Sequence, residues 1–249
     1  MRQHLTILGA MPGASKGTPD GLRWLAAVLP AACVPVLASL LYFQWLSDAV
    51  WVQTVYLAAK AFTVVWPVLA LALLLDRRPL LPAPHWPRDL RALPMGLLSG
   101  LLIVAALLAL LATPLNALLD TAAPAVREKV ATFGIGEHYW AFAVGFSVIH
   151  AGIEEYYWRW FLFGSLRRRL PAGAAHALAA VAFAAHHVVV GATFFGLALG
   201  LLLGACVAAG GVIWSLMLAR QDTLAGAWLS HILVDLGLAY VGYRLLTAY

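Results

Sequence analysis

Seven long apolar runs dominate this chain and leave it almost no choice of architecture. They lie near residues 22–46, 51–75, 94–119, 139–164, 173–190, 193–219 and 223–247. At about 1.5 Å of rise per residue, each is long enough as a helix to cross a hydrocarbon core of about 30 Å. Lipid offers no partner to a bare peptide group, so each run must close its hydrogen bonds internally. Composition agrees: 63% of the residues are hydrophobic and 11% charged, against about 25% charged in a soluble domain. The expected fold is all-α, a polytopic transmembrane helix bundle of about seven spans, with six to eight compatible with the pattern. The fifth run is the shortest and is expected to tilt or to be partly re-entrant.

Other classes fall away quickly. The net charge of +5 comes from residues in loops, where membrane orientation explains it, so no nucleic-acid partner is expected. Cys33 and Cys206 both lie inside apolar runs and suggest neither a disulfide framework nor a thiolate metal site. Residues 1–21 read as a short polar tail without a signal-peptide hydrophobic region. Pro79, Pro82, Pro84 and Pro87 mark the longest inward-facing connection, and 120–138 is the most polar loop.

Orientation follows from the cations. With the N-terminus inside, one side receives Arg2, Lys16, Arg23, Arg77, Arg78, Arg88, Arg91, Arg167, Arg168, Arg169 and Arg220; the other receives Arg127 and Lys129. That asymmetry predicts a cytoplasmic N-terminus. A multi-pass protein of a bacterial cytoplasmic membrane fits the Ala-, Leu- and Arg-rich composition.

Three of the apolar runs carry clusters of ionisable groups. The fourth holds Glu154, Glu155 and Arg159, the fifth His186 and His187, and the seventh His231 and Asp235. One charge at bilayer depth costs at least a few kcal/mol, so an intramembrane site is the default hypothesis. Counted from the cytoplasmic end, Glu154 lies about 15 Å deep, His187 about 20 Å, His231 about 12 Å and Asp235 about 18 Å. All four fall within a layer of roughly 10 Å, and neighbouring helices would bring them into one cavity.

Helical phase separates the two glutamates. Residues four apart share a face, and adjacent ones point about 100° apart. Glu155 and Arg159 are therefore neighbours able to form an ion pair that brace the helix, while Glu154 shares its face with His150 and Trp158 and is left for chemistry. A carboxylate in an apolar cavity can serve as a general base. A histidine beside it can orient water or exchange a proton, and a second can stabilise an oxyanion. His4, His85, His138 and His176 read as ordinary core or interface groups; His150 and His186 stand close enough to the layer to support it.

Taken in order, Glu154-Glu155-x-x-x-Arg159, Phe183-x-x-x-His187 and His231-x-x-x-Asp235 resemble the three motifs of the CAAX protease and bacteriocin-processing (CPBP) family. These are glutamic intramembrane proteases that include the eukaryotic Ras-converting endopeptidase. The resemblance covers about residues 139–240. It implies a catalytic helix core over 139–249, preceded by transmembrane helices and loops over 22–138. It also implies that Glu154 activates the hydrolytic water with His187, that His231 and Asp235 stabilise the oxyanion, and that Glu155 and Arg159 support the site. Phe183, His150 and His186 complete the supporting set. The implied partner is a membrane-associated protein or peptide substrate within the lipid bilayer, and no cofactor or metal is implied. Asp235 departs from the family, whose well-studied members carry asparagine there; an ionised aspartate repels an oxyanion, so it must be protonated or act through His231.

Two rival readings use the same residues. His150, Glu154, His187, His231 and Asp235 supply enough donors for zinc, although Ala151 after His150 breaks the HExxH spacing. A non-catalytic immunity, scaffold or transport protein would use the pocket only to bind.

Overall fold

The computed structural model describes residues 21–46, 50–77 and 82–247, and every regular element among them is helical. Most of the polar tail, with Arg2, His4 and Lys16, lies outside the described residues, as do Arg78 and Pro79. Helix α1 (Gly21–Leu40) runs into a π-wound turn, Leu41–Trp45. Helix α2 (Val52–Leu69) runs into another, Ala70–Leu74. After α3 (Trp86–Leu111) come two short helices, α4 (Leu115–Asp120) and α5 (Ala123–Phe133). Helix α6 (Tyr139–Glu154) continues unbroken as a π-helix, Glu155–Phe163, and then as α7 (Gly164–Arg167). The chain closes with α8 (Ala172–Phe195), α9 (Leu197–Gln221) and α10 (Ala225–Thr247).

Six helical segments are long and apolar enough to cross a membrane: Gly21–Trp45, Val52–Leu74, Trp86–Leu111, Ala172–Phe195, Leu197–Gln221 and Ala225–Thr247. Between 11% and 33% of each apolar window is buried inside the protein. The remaining faces carry side chains such as Leu102, Val181 and Leu197 outward, which in a multi-pass membrane protein is the lipid side. The remaining expected run, the fourth, is the rod formed by α6, its π extension and α7. Its α-helical part has only 16 residues, and Glu155 and Arg159 follow directly.

That rod sits in the middle of the bundle. Its α6 part packs on α10, and its π part touches α1, α2, α8 and α9. Neighbours on every side explain why Tyr157 through Leu166 are buried without interruption, Arg159 included.

Three boundaries differ from the hydropathy reading. The third run, expected at 94–119, is α3 and begins at Trp86. Pro87 lies in its first turn, where a missing N–H costs nothing, and Asp89 accepts a hydrogen bond from the His85 N–H at 2.7 Å. The fifth run is not short: α8 is one continuous helix of 24 residues, long enough to cross a membrane. The sixth starts only at Leu197, because Gly196 adopts a φ of 79° that ends α8 and lets α9 fold straight back. Helix α9 carries no break. Its Gly200 and Gly204 let Ala192 and Val188 of α8 approach the backbone directly, the small-residue contact that packs helices in lipid.

The bundle ends sort by charge. At one end the Arg169 guanidinium lies 5.5 Å from the centroid of the Trp24 ring, Arg88 pairs with Asp222, and Thr223 donates to Asp89. At the other, Gln44 bonds Thr193 at 2.7 Å, Tyr139 donates to the Ala239 carbonyl at 2.7 Å, and Arg127 to that of Leu245 at 3.3 Å.

Candidate active site

The junction between α6 and its π extension carries both glutamates, and it gives them different surroundings. Glu155 turns into the core. Its Oε1 lies 3.1 Å from the Arg159 guanidinium and accepts a hydrogen bond from His231 Nδ1 at 2.8 Å. The guanidinium is held between two aromatic rings, 4.1 Å from the centroid of Phe183 and 4.7 Å from that of Trp214, an arrangement that favours a cation. His231 lies flat on Trp214, with centroids 4.1 Å apart and planes at 15°. Trp214 donates to Ser230 Oγ at 2.9 Å, and Ser230 pairs with Ser99 on α3 at 3.0 Å. Every one of these side chains from α9, α10 and the π-helix is buried.

Glu154 instead faces a cavity of about 350 Å³ between α1, α2, α6 and α8. It is 7% exposed, and its Oε2 has no hydrogen-bond partner among the described residues. Oε1 lies 3.4 Å from His150 Nε2 and 3.8 Å from His186 Nε2. His187 points its Nδ1 at the Phe183 carbonyl at 3.0 Å; donation there leaves Nε2 as the acceptor. His186 stacks on Trp158 with centroids 5.5 Å apart and planes at 7°.

Asp235 joins the group from α10. Its carboxylate is 3.2 Å from His150 Nδ1 and 3.6 Å from His231 Nε2, while His231 Nε2 is 3.7 Å from Glu154. Glu154, His150, Asp235 and His231 thus close a ring in which acids and imidazoles alternate. Glu154, Glu155, Arg159, Phe183, His187, His231, Asp235, His150 and His186 all converge here. The other described histidines do not: His176, for one, bonds Ser215 at 2.6 Å and stacks on Phe163.

Such a ring can accept, hold and return a proton beside a cavity large enough for water and a peptide group. Two subsets have the donors for an ion: Glu154 with His186 and His187, and His150 with His231 and Asp235, the donors of each lying within 4.8 Å of one another.

Trp214 and Lys60 are absent from the motif-based reading, and Trp158 enters it only as a residue on the face of Glu154. Trp214 and Trp158 look like any aromatic residue of an apolar span, and only the fold reveals the imidazoles stacked on them. Lys60 lines the cavity from α2. Its signal was available, since it is the lone charged residue in the run 51–75.

The stretch 136–237 matches the family model described as type II CAAX prenyl endopeptidase Rce1-like. The match begins just ahead of α6 and ends past Asp235, so it takes in every residue of the ring and of the Glu155–Arg159 cluster. No curated protein and no solved structure matches the chain. Over residues 136–237, this multi-pass membrane protein is thus similar to the Rce1-like type II CAAX prenyl endopeptidases, a family of membrane-embedded peptidases.

Proposed function

We propose that the protein hydrolyses a peptide bond close to the membrane, in a hydrophobic, lipidated or membrane-anchored protein or peptide, with Glu154 as the base. The observation that carries this reading is that Glu154 lines the cavity with an Oε2 that makes no hydrogen bond among the described residues, whereas Glu155, whose Oε2 is also unbonded, does not reach the cavity. A buried carboxylate oxygen left without a donor is costly, and a water bonded to it relieves that cost.

The geometry supports the following step. A water between Glu154 and His187 gives its proton to the carboxylate as its oxygen bonds the scissile carbonyl carbon. The carbonyl oxygen becomes an oxyanion. His231, carrying protons on both nitrogens, donates to it from Nε2, while Glu155 accepts from Nδ1 and balances the charge. Asp235 acts through His231 and His150, which separate its own charge from the oxyanion. The carbon–nitrogen bond then breaks, and Glu154 passes its proton to the leaving amine. Arg159 keeps Glu155, and through it His231, in place.

The cavity adjoins a shallow apolar groove between α2 and α6 that shares Val64 and Ile153 with it. A lipid chain or apolar helix resting in that groove would lie beside Glu154. The basic bundle end faces the cytoplasm in this reading, by the positive-inside rule.

The test uses the purified full chain in nanodiscs with a farnesylated CAAX peptide. Wild type releases the C-terminal fragment and Glu154→Gln does not; turnover by the variant at the wild-type rate removes Glu154 as the base.

A further inference from the structure

Lys60 is the only charged residue in the apolar run of α2; it is exposed rather than packed in the core, and a cation held at membrane depth is expensive unless it serves something. Tyr56, Ala59, Lys60, Thr63 and Val64 recur at helical spacing, and all line the cavity that contains Glu154. The lysine therefore faces the cavity. Its Nζ lies 5.5 Å from the centroid of the Tyr56 ring, and among the described residues it meets no carboxylate. Two neighbouring hydroxyls are already committed: Ser39 donates to the Pro35 carbonyl at 2.9 Å and Thr63 to that of Lys60 at 2.8 Å. The α2 wall thus offers one cationic donor, on the same cavity as the acidic Glu154.

A peptide lying in this cavity meets charges of opposite sign. Its anionic end is repelled by Glu154 and drawn to Lys60, which leaves the peptide bonds nearby over the base. We infer that Lys60 is a specificity-determining residue that receives the free α-carboxylate of the substrate, selecting bonds a short distance from a C-terminus. Turnover at such bonds rests on the peptidase reading above; recognition of the carboxylate does not. The same ammonium chemistry suits a lipid phosphate, but the cavity-facing placement of Lys60 favours the peptide.

The test measures binding of a farnesylated Cys-Val-Ile-Met peptide, as free acid and as carboxamide, to the full chain in phosphatidylcholine nanodiscs. The Glu154→Gln background prevents turnover. The acid should bind roughly tenfold more tightly than the amide. Lys60→Met should erase that preference by weakening the acid alone, and Lys60→Arg should keep it. Equal affinities for acid and amide overturn the inference, as does a preference that survives Lys60→Met or failure of both peptides to bind. Lys60-dependent retention of phosphatidylglycerol, with no effect on the peptides, assigns the ammonium to lipid and also overturns it. Wild-type turnover is followed in parallel. Lys60-dependent binding without turnover would refute the peptidase reading and leave this assignment standing; turnover indifferent to Lys60 would do the reverse.

Discussion

Two regions of this molecule meet at a single peptide bond, and they treat a buried carboxylate in opposite ways. On the core side, Glu155 is held by Arg159 and His231, which are in turn clasped by Phe183 and Trp214. On the cavity side, Glu154 stands among His150, His186 and His231 at 3.4 to 3.8 Å, with one oxygen lacking any donor. The first region sets its charges against one another and fixes a shape, although Glu155 Oε2 and the Arg159 terminal nitrogens also make no hydrogen bond there. The second leaves hydrogen-bonding capacity open towards a space that water and a peptide can fill. Neither burial nor unmet hydrogen-bonding capacity therefore marks a catalytic group by itself, since Glu155 has both; the cavity beside Glu154 separates the two.

The sharpest way to break this contrast is to neutralise each region in turn. Glu154→Gln preserves shape and removes the base, so hydrolysis should fall by about a thousandfold or more while the protein stays monodisperse in detergent. Peptide turnover and size-exclusion profiles report the two halves of that expectation. Arg159→Ala should act oppositely: Glu155 is left buried without its cation, at a cost of about 3–5 kcal/mol, and folded protein should be lost before any question of rate arises. A folded, monodisperse Arg159→Ala protein would contradict the bracing role.

Asp235→Asn restores the amide usual in the family and keeps a hydrogen-bonding group at His150 and His231. Turnover should stay within about tenfold of wild type, and a complete loss would show that the carboxylate itself is required. The smallest effect is expected from a chelator: a glutamate-based reaction keeps its rate in EDTA, and inactivation reversed by zinc would assign one of the two donor groups to an ion.

The two regions were unequally legible before the fold was known. Glu154, Glu155 and Arg159 stand out because charge in an apolar run is rare, and helical phase alone places Glu155 beside Arg159. Convergence of His187, His231 and Asp235 on Glu154 needed only a common depth and adjacent helices. What hydropathy could not reveal is the π winding that begins at Glu155. It depends on neighbours packed around the rod from every side, and no local propensity marks it. Trp214 was hidden for a similar reason, since its stacking on His231 joins α9 to α10. The start of α3 at Trp86 was missed because Arg88, Asp89 and Arg91 lower the hydropathy of its first turns. Lys60 was legible as a lone charge, and only the cavity gave it a place beside Glu154.

The most direct test of the central claim compares protein termini in membrane and secreted fractions of host cells carrying wild type or Glu154→Gln at equal expression. The account predicts at least one membrane-associated protein that loses a terminal segment with wild type and keeps it with the variant. Identical termini in both cells, together with a wild-type phenotype that survives the substitution, would contradict it and assign the pocket to binding alone.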